Sequence, residues 1–201
     1  MRLSRRPPIS ILIALALLVL GATAGLALAK TSTLRLAKNV HVTNNGSAVK
    51  PFRVKAVNTH EAVAVGSTGF AVYTFQGETT HHIICKKTSN ASTNCWAFWP
   101  PVSVSSAKGI SKANGIKGKL GTFRNHGTLQ LTLNGQPLYY FTPDISSHNK
   151  KQAMGDELKT FGSIWHIVKA GATQSQQSAA PQMPSSTTSS TPSTTPYPYQ
   201  Y

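Results

Sequence analysis

The sequence predicts a small, mainly β domain built from two related copies of one motif, sandwich-like or barrel-like, with short helical turns at most. Three observations carry this. Short runs rich in β-branched and aromatic residues recur between Gly, Asn and Pro. An Asn-Gly pair stands between two such runs. A ten-residue pattern then occurs twice in one register.

Along the chain, Leu34, Leu36, Val40 and Val42 fit an edge strand in a polar lead-in, residues 30–49. The domain proper is expected over residues 50–170. Phe52 to Val57 alternates apolar and polar, as a half-buried strand does. Phe70 to Phe75, Leu129 to Leu133, Leu138 to Phe141 and Ile164 to Val168 read as further strands. Asn134-Gly135 predicts a two-residue hairpin turn, because both residues tolerate positive φ. Ser103 to Ala113 is the one stretch that fits a short helix, and Gly109 weakens it.

The duplication is the most informative feature. The first copy runs Gly69 to Glu78 and the second Gly135 to Asp144, both Gly-x-x-aliphatic-Tyr-x-Phe-x-x-acid. The repeated residues are Tyr73, Phe75 and Glu78, then Tyr139, Phe141 and Asp144. A tryptophan follows each tyrosine by 26 positions, Trp99 and Trp165, so the copies (motifs at 69–99 and 135–165) are offset by 66 residues throughout. Two such units are expected to pack as pseudo-symmetric halves. Tyr and Phe two apart on a strand share a face. The acid three residues later falls beyond the strand, where it can accept backbone N–H bonds or mark a site.

The ends of the chain set its destination. Arg2, Arg5 and Arg6 precede an uncharged apolar run from Ile9 to Leu20 and an Ala27-Leu28-Ala29 cleavage pattern. This is the layout of a secretory signal peptide over residues 1–29, with an uncleaved membrane anchor as the alternative. No cysteine follows Ala29 to take a lipid. Residues 171–201 are Ser, Thr, Pro and Gln with no apolar period, and are expected to be a disordered, stalk-like tail.

Cys85 and Cys95 are the only cysteines, with nine residues between them. In an exported chain they are expected to form a disulfide. Without residues 1–29 the chain keeps 17 Lys and Arg against 5 Asp and Glu, a net charge of +12. That charge attracts polyanions. Outside a cell these are acidic wall polymers or lipid head groups. No nucleic-acid motif is present, so no specific nucleic-acid partner is expected. Membrane contact is expected only through an uncleaved signal.

The residues of the repeat, with Cys85, Cys95, Trp99-Pro100-Pro101 and Asn134-Gly135-Gln136-Pro137-Leu138-Tyr139, resemble a bacterial secreted-repeat family of unknown function. It is described as predicted lipoproteins with a Tyr-x-aromatic-x-x-Asp motif. The resemblance spans about residues 66–169. It implies a two-copy architecture and no established activity. Glu78 stands where the family pattern has Asp, and the cysteines are further apart than in that pattern.

Three chemistries compete. His81, His82 and Cys85, with His148 further on, supply metal-ligand types, but a disulfide would consume Cys85. Glu78 and Asp144 can act as paired carboxylates only if they meet. Trp96, Phe98 and Trp99 are either core or an exposed platform. No catalytic constellation is recognisable, so neither an enzyme nor a cofactor is expected. Binding or structure at the cell envelope is the reading favoured, with a metal- or redox-linked protein as the alternative.

Overall fold

The computed structural model describes residues 33–172. The expected signal at 1–29 and the tail from residue 173 onward lie outside the described residues. Among the described residues nine strands form three sheets of three strands each, and these do not close into a barrel.

The first sheet contains β1 (Arg35–Thr43), β2 (Asn58–Val65) and, later in the chain, β7 (Gln152–Ala153). Its order is β2-β1-β7, so β1 is the middle strand and not an edge. β7 pairs along its other side at His41 and Val42, and the β1–β2 pairing carries a one-residue bulge. Ala37 pairs with Val63 but Val40 pairs with Glu61, and Asn39 between them takes φ 54°. The extra residue reverses the alternation of side chains along the strand. Leu34 and Leu36 therefore pack into one core, and Val40 and Val42 into the other.

Residues 50–57 correct the expectation of a strand. Lys50–Phe52 is a single 3₁₀ turn with Pro51 in its first positions. Phe52 and Val54 point outward, about half exposed. Asn44 then holds the chain in a loop. Its Nδ2 donates to the Lys55 carbonyl and its Oδ1 accepts the Val57 N–H. A buried polar side chain thus replaces the ladder that a strand would have needed.

The second sheet has order β3-β9-β8, from β3 (Tyr73–Phe75), β8 (Leu158–Thr160) and β9 (Ser163–Ile167). The third has order β4-β5-β6, from β4 (Leu120–Asn125), β5 (Thr128–Leu133) and β6 (Gln136–Pro137). Three hairpins use two residues with positive φ. They are Asn134-Gly135, as expected, and also His126-Gly127 and Phe161-Gly162. This backbone suits the right-handed twist of the paired strands. Two short helices complete the elements, α1 (Cys95–Phe98) and α2 (Thr142–Ser146). The helix expected within 103–113 is absent. Val102 and Val104 instead lie extended along β5 through bonds to Leu131 and Leu129.

The first two sheets share backbone bonds. The Ala64 N–H donates to Val168 O, and the Val72 N–H donates to Ala64 O. The motif strands separate two cores. Ala71, Tyr73, Phe75, Tyr139 and Phe141 enter an aromatic core. Val72, Leu138 and Tyr140 enter an aliphatic one. The shared face of Tyr and Phe expected from the two-residue period is what forms.

Gly135 tests the hairpin chemistry alone, since a Cβ there meets no atom within 4 Å while φ is +77°. Gly135→Ala is expected to cost about 1 kcal/mol from left-handed strain. Urea unfolding measures it, and an unchanged midpoint would contradict the turn assignment.

Candidate functional site

The two motif copies do not pack as separate halves; they interlock. The Tyr73 N–H donates to Tyr139 O at 2.8 Å, and the Tyr139 N–H donates to Tyr73 O at 3.0 Å. This reciprocal pair is the centre of an approximate two-fold relation. On one side Tyr73 pairs with Ile167, and on the other Tyr139 pairs with Pro101. Ile167 and Pro101 are themselves 66 residues apart. The strand following each tryptophan therefore pairs with the motif strand of the other copy. The same holds one residue on, where Val168 N–H meets Val72 O and Val102 N–H meets Leu138 O.

The side chains follow this crossing. Trp99 and Trp165 stack with ring centroids 3.8 Å apart and planes 4° from parallel. Phe75 stacks on Trp165 at 4.1 Å, and Phe141 stacks on Trp99 at 4.2 Å. Each phenylalanine thus lies on the tryptophan of the other copy, giving a column of four rings. Each tyrosine meets its own tryptophan edge-on, Tyr73 with Trp99 at 5.4 Å and Tyr139 with Trp165 at 5.3 Å. Edge-to-face contacts add attraction beyond area burial. Both indole N–H groups donate to one hydroxyl, Thr160 Oγ1.

The acids cross over as well. The Tyr73 hydroxyl donates to Asp144 Oδ2 at 2.6 Å and accepts the Gly155 N–H. Asp144 Oδ1 accepts the Met154 N–H, fixing the loop that carries Met154. In the mirrored position the Tyr139 hydroxyl stands beside Glu78. This contact is looser than the Tyr73–Asp144 bond, and Glu78 Oε2 and Tyr139 Oη are buried facing each other with no hydrogen bond of full geometry. Glu78 Oε1 is satisfied by the N–H groups of Ile84 and Cys85, both at 2.8 Å. The acids do accept backbone N–H bonds as expected, but from segments six to ten residues on. Neither is exposed.

Burial raises both carboxyls to about 7, although their N–H donors and the facing tyrosine hydroxyls, Tyr139 for Glu78 and Tyr73 for Asp144, pull them back down. Burial first, and then the facing carboxylate, pushes Tyr73 and Tyr139 above the usual phenol range.

The other candidates fall out as follows. Cys85 and Cys95 form the expected disulfide, with Cα atoms 5.2 Å apart. Cys85 is therefore no thiolate ligand. His81 and His82 are exposed at a turn tied by Thr79, and His148 is exposed beyond α2. Among the described residues the compact set of ligand types is a different one: Asp156, Glu157 and His166. Lys169 and Lys55 already pair with its two carboxylates. Of the three aromatics weighed as a platform, Trp99 is core and Trp96 is half-buried, its N–H on the Cys85 carbonyl. Phe98 is 51% exposed.

Phe98 borders a cleft that sequence reasoning missed. It measures about 920 Å³ and lies between the 3₁₀ turn, the disulfide loop and the β8–β9 hairpin. Trp99, Phe141 and Leu158 line it, as do Phe52 and Phe161. Its charged lining residues are Lys86 and Lys159. The signal that could have found it was the pair of aromatics, Phe52 and Phe161, beside Pro51 and Gly162, breaks that turn such residues outward.

The fold and its centre thus define a two-copy β domain whose repeats are interlocked through an aromatic column. Residues 122–169 match the family described as a secreted repeat of unknown function. The matched segment holds the whole second motif and its tryptophan. No curated protein and no solved structure matches the chain.

Two outcomes are expected of this centre. The folded carboxyls titrate near 7, above their ordinary 4.5 and 3.8, so folding takes up protons between those values. Stability should be greatest below about pH 4 and fall as pH rises toward 7. Urea unfolding at a series of pH values checks this, and Asp144→Asn should flatten the slope. A stability that rises over the same window would contradict it. Separately, a Cβ on Gly155 would sit 2.8 Å from the Trp99 ring and 2.9 Å from Tyr73. Gly155→Ala should therefore cost about 1–3 kcal/mol by overpacking, read as a lowered melting temperature.

Proposed function

We propose that this chain is an exported, non-catalytic binding or structural module of the cell envelope, drawn to anionic polymers by its surface charge. The secreted-repeat match supports an extracellular or envelope location. The observation that carries the rest is where the acids lie. All five Asp and Glu of the chain fall within the described residues, which also hold sixteen Lys and Arg. Glu78, Asp144 and Asp156 are buried. Glu61 pairs with Lys169, and Glu157 with Lys55. The surface therefore presents cations almost without counter-charges. Lys108, Lys117, Lys119 and Arg124 are all exposed, on β4 and the loop before it. Such a field favours long polyanions over any small substrate.

The two carboxylates give no catalytic pair, since both are enclosed and committed to loop N–H groups. A stiff interior with a cationic exterior is suited to adhesion.

The test is binding of linear polyphosphate and of vesicles rich in anionic lipid, followed by sedimentation in rising salt. Screening shortens from about 10 Å at 0.1 M to about 3 Å at 1 M. Binding should fall at least tenfold across that range, and reversing Lys117 and Lys119 to Glu should weaken it further. Binding that is indifferent to salt would overturn this reading.

A further inference from the structure

The cleft beside the aromatic column has a chemistry of its own, separate from the cationic surface. Its volume of about 920 Å³ lies in the range of small-molecule sites, roughly 300–1,000 Å³. Of the three large apolar side chains that are half exposed among the described residues, two line it, Phe52 and Phe98. The Phe161 ring packs against Phe98 with centroids 6.1 Å apart, and Trp99 and Leu158 are buried within. Exposed phenylalanines gathered at one concavity are unfavourable in water and favourable against an apolar ligand.

The polar lining has one sign. Lys86 and Lys159 are both exposed, and no carboxylate lines the cleft. The hydroxyls of the lining threonines Thr88, Thr93 and Thr160 are already bonded within the chain. An apolar cavity edged by two ammonium groups complements a chain that is apolar along its length and an oxyanion at one end. It does not complement a cation or a polyol. The disulfide fixes one wall, since Cys95 lines the cleft, and the tight Phe161-Gly162 turn fixes another. Pre-formed walls lower the ordering cost of binding.

We propose that this cleft binds a single-chain amphiphile with an oxyanion head. The chain lies against Phe52, Phe98, Phe161 and Trp99, and the head pairs with Lys86 and Lys159. Long-chain carboxylates and single-chain phosphates share this chemistry.

The full chain is titrated below micelle formation with dodecanoate, dodecyl phosphate, dodecanol and dodecyltrimethylammonium. Calorimetry gives the stoichiometry, and tryptophan fluorescence reports the indoles beside the cleft, Trp99 among them. Saturable one-to-one binding of the anionic chains is expected, at least tenfold tighter than the cationic chain. Preference for dodecanoate assigns a free carboxylate as ligand, and preference for the phosphate assigns a phospholipid-derived one. Lys86→Glu with Lys159→Glu should weaken the anionic chains about tenfold and leave dodecanol unchanged. Phe98→Ser, at an exposed position, should weaken all the chains that bind. Unsaturable binding, equal affinity for cationic and anionic chains, or no effect of Phe98→Ser would overturn the proposal. So would full displacement by polyphosphate that is itself abolished by Lys86→Glu with Lys159→Glu. That result would make these lysines part of the polyanion surface and leave that reading intact.

Discussion

Tyr73 and Tyr139 exchange both of their backbone hydrogen bonds, and most of the interior follows from that exchange. Once these residues face each other antiparallel, their phenylalanines and tryptophans are placed by the two-fold relation. Phe75, Trp165, Trp99 and Phe141 must stack in that order, because each motif strand pairs with the tryptophan strand of the other copy. The crossing also carries each acid to the other copy's hydroxyl. A constant offset of 66 residues is the one-dimensional trace of this three-dimensional constraint. An insertion between tyrosine and tryptophan in either copy is tolerated only if it loops out of the column.

The symmetry stops at the core. Between tyrosine and tryptophan, the first copy spends its residues on the disulfide loop and α1. The second spends them on α2, β7 and β8. These unlike insertions meet at the edge of the column and leave the cleft between them. The difference between Glu78 and Asp144 belongs to the same divergence between the copies. Asp144 closes a full hydrogen bond to Tyr73, while Glu78 gives one oxygen to two loop N–H groups and turns the other to a looser contact with Tyr139. The cost of burying both carboxyls is that neither offsets the cations outside. The basic surface and the aromatic centre are therefore linked through where the chain keeps its few acids.

The mainly β class, the Asn134-Gly135 hairpin, the disulfide and the shared face of each Tyr-x-Phe were legible in the sequence, because each rests on local geometry. The interlocking was not. An offset shows that two segments are alike and is silent on whether they pair with themselves or with each other. The central place of β1 rests on its pairing with the distant β7, and its bulge splits its side chains between the cores. With one extra residue at Asn39, four apolar residues on even positions serve two cores rather than one face. Residues 52–57 misled for a related reason. Alternation is also produced by a loop whose carbonyls are held by a buried asparagine, here Asn44. The cleft depends on three segments far apart in sequence, which no local pattern brings together.

The most direct test of the interlocked centre is native-state hydrogen exchange at the amides of Tyr73 and Tyr139. If the two copies form one unit about this pair, both amides open only with the whole molecule. Their exchange free energies should equal each other and the global unfolding free energy. An exchange free energy for either amide well below the global value would mean that one copy opens while the other stays folded. That result would contradict the account.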